Sequence, residues 1–164
     1  MKSLLIIGAG GHGQVVKEIA EDLGYTKIAF LDDNSPLAIG KIDDIEKLKD
    51  EYEEAFVGIG NNAFRGKLID RLVQAGYIVP ALVHPSAYVS RTAVIEIGTV
   101  VEPKAIVNAH ANVGKGCIVS VGAIVDHDTV LEECVHANAG SIVKAGGQVE
   151  KERKLQAGEV VLGY

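Results

Sequence analysis

A histidine between two acidic residues, in Val125-Asp126-His127-Asp128, is the group best suited to chemistry in this sequence of 164 residues. An imidazole titrates near neutrality, so it can accept a proton from an attacking nucleophile. A flanking carboxylate fixes the tautomer of the ring and stabilises its protonated form. A second histidine, His136, follows nine residues later. The alternative interpretation of the Asp-His-Asp segment is a polar corner of a solvated repeat with no chemical task.

A second candidate site is the glycine-rich segment Gly8-Ala9-Gly10-Gly11-His12-Gly13, which satisfies G-x-G-x-x-G. Between a strand and a helix, such glycines let the backbone approach a diphosphate, whose charge the helix N-terminus stabilises. The acidic pair Asp32-Asp33 follows the next strand, about where a ribose hydroxyl would be bound, and Gly60-Asn61-Asn62 would face the same crevice. The segment favours a nucleotide diphosphate. A nicotinamide dinucleotide and a tight turn with no ligand are the alternatives.

The elements that would position this glycine segment alternate between strand and helix. Short apolar runs predict strands over residues 3–7, 27–31 and 55–59. Amphipathic stripes predict a helix over 14–23 and another that begins at Asn61 or Asn62. Residues 1–82 should therefore form a small parallel α/β domain of three or four strands, about half of a doubly wound sheet.

A period of six residues dominates the rest of the chain and places His127 within a repeat. Two positions before each of the first eleven members lies a small, β-branched or thiol residue. Helices repeat near 3.6 and ordinary strands at 2, so this period indicates short strands that turn a corner every six residues, with positions i−2 and i inward. The fourteen members are Val83, Val89, Ile95, Val101, Val107, Val113, Val119, Val125, Leu131, Ala137, Val143, Val149, Leu155 and Val161.

Composition limits the partners that the chain could have. Hydrophobic residues make up 48% and aromatic residues only 5%, as a narrow core of Val, Ile and Ala requires. The net charge of −6 argues against nucleic acid or an anionic membrane as the partner. No segment has the pattern of a signal peptide or a membrane span. The sequence therefore predicts a cytoplasmic protein.

Taken in order, the motifs G-x-G-G-H-G, L-D-D, I-G-N-N-x-x-R and V-D-H-D with a histidine nine residues later resemble a known family. They are similar to sugar acetyltransferases with a left-handed β-helix, above all the bacterial UDP-4-amino-sugar N-acetyltransferases of the bacillosamine pathway. Perosamine N-acetyltransferases and sialic acid O-acetyltransferases are also similar. The resemblance implies an α/β Rossmann-like half domain followed by an all-β left-handed parallel β-helix of hexapeptide repeats. It further implies acetyl-CoA-dependent acetylation of a nucleotide-linked amino sugar by a homotrimer, with acetyl-CoA at the subunit boundaries.

The resemblance also assigns roles to individual residues. His127 matches the catalytic base, Asp128 is its carboxylate partner because it follows the histidine as in the family, and His136 matches a histidine at the acetyl-CoA site. The residues expected at the substrate diphosphate are Gly10, Gly11 and His12. Those expected around the uridine are Asp32, Asp33 and Gly60.

Two departures from the family pattern bear on these assignments. An asparagine often lies seven residues before the base, where this chain has Ser120, whose hydroxyl has a shorter reach and one donor in place of two. Charged residues also occupy the inward i−2 positions at Arg153 and Glu159. The regular β-helix is therefore expected to span 83–150 and to end near Val149, with 151–164 as a cap or tail. A sugar-binding member without activity and an O-acetyltransferase are the alternatives.

A metalloenzyme is a further alternative, since γ-class carbonic anhydrases share the trimeric left-handed β-helix. They hold zinc with three histidines across a subunit boundary. Here His110, His127 and His136 are separated by 17 and 9 residues, and in a coil of eighteen the last two lie half a turn apart. That placement suits one tetrahedral site poorly, so no metal is expected.

Overall fold

The computed structural model describes residues 1–164 and divides them into two compact units, Met1–Pro80 and Ala81–Tyr164. The division lies two residues from the boundary that the sequence predicts. Neither unit contains a helix long and apolar enough to cross a bilayer.

The first unit is built on a three-stranded parallel sheet with the strand order β2-β1-β3. Helix α1 begins at Gly11, three residues earlier than predicted, so the last three residues of the glycine segment form its first turn. The elements are β1 (Ser3–Ile7), α1 (Gly11–Asp22), β2 (Lys27–Leu31), a 3-10 helix (Ile42–Leu48), β3 (Glu54–Val57) and α2 (Asn62–Gln74).

Close backbone contact explains why helix α1 can begin so near the end of strand β1. A Cβ atom on Gly13 would lie only 2.1 Å from the carbonyl oxygen of Gly8. Any larger residue at Gly13 would push the helix away from the strand. The strand itself is completely buried from Leu4 to Ile7, as a central parallel strand requires.

The second unit is a parallel β-helix of thirteen two-residue strands. Each strand pairs with the strand 18 residues further along, as Val100 does with Ile118, so one coil has 18 residues and three faces. The first face is β4 (Leu82–Val83), β7 (Val100–Val101), β10 (Ile118–Val119) and β13 (His136–Ala137). The second face is β5 (Tyr88–Val89), β8 (Ile106–Val107), β11 (Ile124–Val125), β14 (Ile142–Val143) and β16 (Val160–Val161). The third face is β6 (Val94–Ile95), β9 (Asn112–Val113), β12 (Val130–Leu131) and β15 (Gln148–Val149).

The period of six is the inward column of this β-helix, as predicted. From Val101 to Leu155 every member of the column is at most 1% exposed. The i−2 column is buried beside it, and Cys117 in that column is fully buried as a free thiol. Full burial of one Val or Leu side chain contributes about 1.5–3 kcal/mol, so the column accounts for much of the cohesion of the coils.

Every sixth residue from 98 to 158 lies at a corner and has a positive φ angle. Glycine occupies six of these corners, as the left-handed conformation favours. The other five are Lys104, His110, Asp128, Cys134 and Glu152. A left-handed residue other than glycine costs roughly 1–2 kcal/mol, so the stacked coils must impose this geometry at those corners. Asp128, with φ 57°, is one of them.

The prediction that the regular coil ends near Val149 was wrong. Leu155 is fully buried in the inward column, and Val160–Val161 pairs in parallel with Ile142–Val143. The two charged i−2 residues do not interrupt the coil because they neutralise each other: Nη2 of Arg153 lies 2.6 Å from Oε1 of Glu159. Residues after 150 therefore continue the β-helix.

Candidate active site

His127 lies at the corner where the chain crosses from the second face to the third. We call the stacked residues 108–110, 126–128, 144–146 and 162–164 the His127 corner. Oδ1 of Asp126 accepts hydrogen bonds from the backbone N–H of His127 at 2.7 Å and from Nδ2 of Asn108 at 3.0 Å. These bonds, the one from Asn108 first, lower the pKa of Asp126. Asp126 therefore fixes the backbone of the corner.

The imidazole of His127 is instead held by Asp128. Nδ1 of His127 lies 2.7 Å from Oδ2 of Asp128. This hydrogen bond raises the pKa of His127 and lowers that of Asp128. Since a carboxylate only accepts, Nδ1 carries the proton and Nε2 is left to accept one. The two side chains are 45% and 50% exposed, so the pair is open to a ligand.

Three further residues of the His127 corner stack with Asp128 at intervals of 18: His110, Gly146 and Tyr164. The hydroxyl of Tyr164 lies 3.3 Å from Oδ2 of Asp128, and its ring centroid is 6.4 Å from that of His127. On the N-terminal side, His110 lines a cavity of about 670 Å³ together with Tyr88, Arg91 and Thr92. The base thus lies between an aromatic residue and a polar cavity.

His136, the other predicted site histidine, lies elsewhere in the same chain. It points outward from the first face, where its Nε2 is 2.9 Å from Oγ of Ser120. Ser120 begins the corner between the first and second faces, so one whole face separates it from His127. Seven residues of extended chain span roughly 20 Å. The single chain therefore does not bring His127 and His136 together.

The second face, which separates these two corners, has an apolar outer surface. Its outward column has no polar or charged member, and three of its members are exposed by 58%, 37% and 51%: Tyr88, Ile106 and Val160. The remaining members, Ile124 and Ile142, are half-buried.

The glycine segment of the first unit presents an open backbone. Nothing lies within 4 Å of the Cβ position of either Gly10 or Gly11. Gly10 caps helix α1 without a side chain, so the N–H groups of the first turn, which includes the half-buried His12, are not capped from the side. The helix has 12 residues, and its N-terminus favours an anion.

The acidic pair after strand β2 has structural partners. Oδ2 of Asp32 accepts the backbone N–H of Ala9 at 2.8 Å, and this bond is the main reason that the pKa of Asp32 is lowered. The carboxylate therefore ties the glycine segment to the end of β2. Asp33 is exposed, and its Oδ1 accepts the N–H of Ile42 at 3.0 Å.

Arg65, which was given no role from the sequence, organises the loop that contains Gly60. Its side chain is buried, and Nη1 donates to the carbonyl oxygens of Ile59 at 3.0 Å and Gly60 at 3.3 Å. Nη2 donates to Oδ1 of Asn62 at 2.7 Å. The spacing I-G-N-N-x-x-R contained the signal, because it places an arginine one turn into the helix that follows the loop.

Asn108 and Tyr164 were also missed, and the coil length would have found both. They lie 18 residues before Asp126 and 36 after Asp128, which are one and two whole coils. In residues 1–164 no three His, Cys, Asp or Glu side chains lie together as a metal-binding group.

Comparison with known proteins gives the relatives of this chain. The sequence profile of the PglD N-terminal domain matches residues 3–72. The UDP-N-acetylbacillosamine N-acetyltransferase of Bacillus subtilis (strain 168) is 33% identical over 112 residues, which are 62% of this chain and 51% of that protein. The match thus spans about half the length of this relative.

Two solved structures are similar over nearly the whole chain. The acetyltransferase domain of PglB from Neisseria gonorrhoeae FA1090, in complex with acetyl coenzyme A, is 37% identical, with a TM-score of 0.92; the match covers 97% of this chain and 81% of that one. A mutant of perosamine N-acetyltransferase from Caulobacter crescentus, in complex with CoA and GDP-perosamine, is 27% identical, with a TM-score of 0.93 and coverage of 99% and 90%. These likenesses confirm the predicted fold class, including the handedness of the β-helix. The chain belongs to the family of sugar acetyltransferases with a left-handed β-helix.

Proposed function

We propose that this chain is an acetyl-CoA-dependent acetyltransferase that acts on the amine of a nucleotide-linked sugar. Family membership supports the reaction class. The observation that carries the proposal is the pair formed by His127 and Asp128, in which Nδ1 is engaged at 2.7 Å and the exposed ring keeps Nε2 for a substrate. We place the reaction in the cytoplasm, where acetyl-CoA and nucleotide sugars are available.

In the proposed mechanism, His127 acts as general base and then as general acid. The sugar amine attacks the thioester carbonyl carbon and forms the new C–N bond, while Nε2 of His127 takes the proton that the nitrogen loses. Asp128 stabilises the resulting imidazolium. The C–S bond then breaks, and the imidazolium returns the proton to the departing CoA sulfur, which regenerates the base.

The nucleotide is assigned to the first unit. The open N–H groups at Gly10, Gly11 and His12 are suited to the diphosphate, because a helix N-terminus attracts negative charge. Asp33 and Gly60 are exposed and available to the nucleoside. Asp32 supports this site chiefly through its bond to Ala9.

The assembly proposed for this chain is a homotrimer with threefold symmetry. An apolar sheet face open to water favours association, and a ring of three copies would cover the second face of each. The two edges of that face are the His127 corner and the corner of Ser120. Packing the faces around one axis would set His127 of one subunit near Ser120 and His136 of the partner subunit. This composite site would reunite the two histidines that a single chain keeps apart.

Mixing two inactive variants tests both the chemistry and the composite site. His127→Ala lacks the base, and His136→Ala should bind acetyl-CoA weakly, so each homotrimer should be slow when acetyl-CoA is well below saturation. After co-refolding in equal amounts, about a quarter of the subunit boundaries would combine an intact His127 with an intact His136. Activity near a quarter of wild type is expected.

The control mixes separately folded trimers of the two variants, which should stay slow. If the co-refolded mixture is no faster than the average of the two homotrimers, the site is not shared between subunits. If wild type itself transfers no acetyl group to any amino-sugar nucleotide but binds one, the chain is a binding member of the family.

A further inference from the structure

Tyr164 contacts the proposed catalytic pair from two coils away. Its hydroxyl donates to Oδ2 of Asp128 at 3.3 Å, the same oxygen that accepts the 2.7 Å bond from Nδ1 of His127. The Tyr164 ring is tilted by 56° to the imidazole. One carboxylate oxygen of Asp128 is thus approached by a donor from its own coil and by a donor from a later one.

Gly146 makes this reach possible. It lies between Asp128 and Tyr164 in the stack, and coils are about 4.8 Å apart, so Tyr164 must span roughly 10 Å. A Cβ atom on Gly146 would lie 1.9 Å from Cε1 of the Tyr164 ring. The ring therefore occupies the space that the missing side chain leaves.

The backbone before Tyr164 is fixed by the β-helix. The strand Val160–Val161 pairs with Ile142–Val143, and the N–H of Tyr164 donates to the carbonyl oxygen of Ala145 at 3.2 Å. A Cβ atom on Gly163 would lie 1.8 Å from that same oxygen, so a glycine is required for this close approach. The ring is consequently carried by a regular coil.

We infer that Tyr164 is a positioning residue, which holds Asp128 in the rotamer that faces His127. The inference rests on the proposed role of His127 as the base. Asp128 and His127 are each about half exposed, and an exposed ion pair is weak because water screens it and both side chains are mobile. A second hydrogen bond to the same carboxylate restricts its rotation and so keeps the imidazole oriented.

A titration without substrate tests this inference independently of the proposed activity. In Tyr164→Phe the ring stays and only the hydroxyl is lost. If the hydroxyl holds Asp128 against His127, the pKa of His127, followed by NMR of the imidazole, should fall from its raised value toward that of a free histidine. An unchanged or higher pKa of His127 would overturn the inference, because the hydroxyl would then not support the pair.

Kinetics provide the second measurement, on the full-length protein with amino-sugar nucleotide and acetyl-CoA. In Tyr164→Phe the plateau kcat should fall by about threefold to tenfold, as expected for the loss of one orienting hydrogen bond, with both KM values unchanged. The acidic limb of the kcat profile should move to lower pH, because the base form persists to a lower pH. A merely structural loss would lower kcat by one factor at every pH, and this result would count against the inference.

Gly146→Ala tests the same contact from the other side, and Gly158→Ala is its matched control. Both glycines have nearly the same φ, 71° and 70°, so both alanines are strained alike, but nothing lies within 4 Å of the Cβ position of Gly158. Gly146→Ala should displace the tyrosine ring and reproduce the shifted His127 pKa, and Gly158→Ala should not. In a Tyr164→Ala background Gly146→Ala should cause no further shift. Equal effects of the two glycine variants would contradict the assignment.

Discussion

Nδ2 of Asn108 donates to Oδ1 of Asp126 at 3.0 Å and so joins two successive coils beside the candidate base. The same oxygen accepts the backbone N–H of His127. The carboxylate before the histidine is therefore used by the backbone, and the carboxylate after it, on Asp128, is the one that meets the ring. The two acidic neighbours of His127 have different tasks, and this difference can be measured.

Asp128→Asn and Asp126→Asn form a matched pair of substitutions. Asparagine at 128 cannot stabilise the imidazolium, so the raised pKa of His127 should fall and kcat should drop by roughly tenfold or more. Asparagine at 126 keeps an acceptor oxygen for the corner, so the loss should be much smaller. A pH profile of kcat for each variant measures both effects. Equal losses in the two variants would show that the carboxylates are not divided in this way.

His127→Ala should lower kcat by about 10²–10⁴-fold, the usual contribution of a general base. The Michaelis constants should change little, because the imidazole acts mainly in the transition state. Melting temperature and sedimentation should stay near wild type, since the side chain is half exposed and bonded only within its own corner. The base form of His127 exists above its pKa, which Asp128 raises, so wild-type kcat should rise through one ionisation that the variant lacks. Full turnover by the variant would place the base elsewhere.

The period of six predicted where side chains point, because Val119 and Val125 had to face a narrow interior whatever the handedness. It did not predict which polar residues meet across coils. The contact of Asn108 with Asp126 depends on the coil length of 18, and the ion pair of Arg153 with Glu159 depends on neutralisation that a hydrophobic pattern does not encode. The left-handed φ of Asp128 was also missed, since only glycine signals that conformation in a sequence.

The pair Arg153 and Glu159 should stabilise the last coil by a small, salt-sensitive amount. The side chains are 34% and 27% exposed, so a double-mutant cycle with Arg153→Met and Glu159→Gln should give a coupling of about 0.5–1 kcal/mol. Urea unfolding at low salt and at 1 M salt measures it, and the coupling should shrink at high salt. A coupling of zero at low salt would mean that packing, rather than charge, keeps these residues inward.

Asp32→Asn should destabilise the protein in a manner that depends on pH. The folded-state pKa of Asp32 is lowered, first by the N–H of Ala9, so its contribution is present above the unfolded-state value of about 4 and is lost as pH falls through the folded-state value. The difference in unfolding free energy between wild type and variant should therefore be constant from pH 5 to 7 and shrink below pH 4. Urea unfolding across this range measures it. A difference that stays constant down to pH 3 would show that the carboxylate is not what ties the glycine segment to strand β2.

Gly11→Val separates nucleotide binding from folding, because nothing lies within 4 Å of the Cβ position of Gly11. The valine should leave the melting temperature close to wild type but block the approach of a diphosphate to the first turn of helix α1. Calorimetry with the full-length protein should show UDP binding to wild type and at least tenfold weaker binding to the variant. Gly13→Ala is the contrasting change, since its Cβ would lie 2.1 Å from the oxygen of Gly8 and should damage the fold itself. NAD should bind wild type more weakly than UDP, because a three-stranded sheet provides only one mononucleotide half. Equal or tighter binding of NAD would instead favour a dinucleotide at this site.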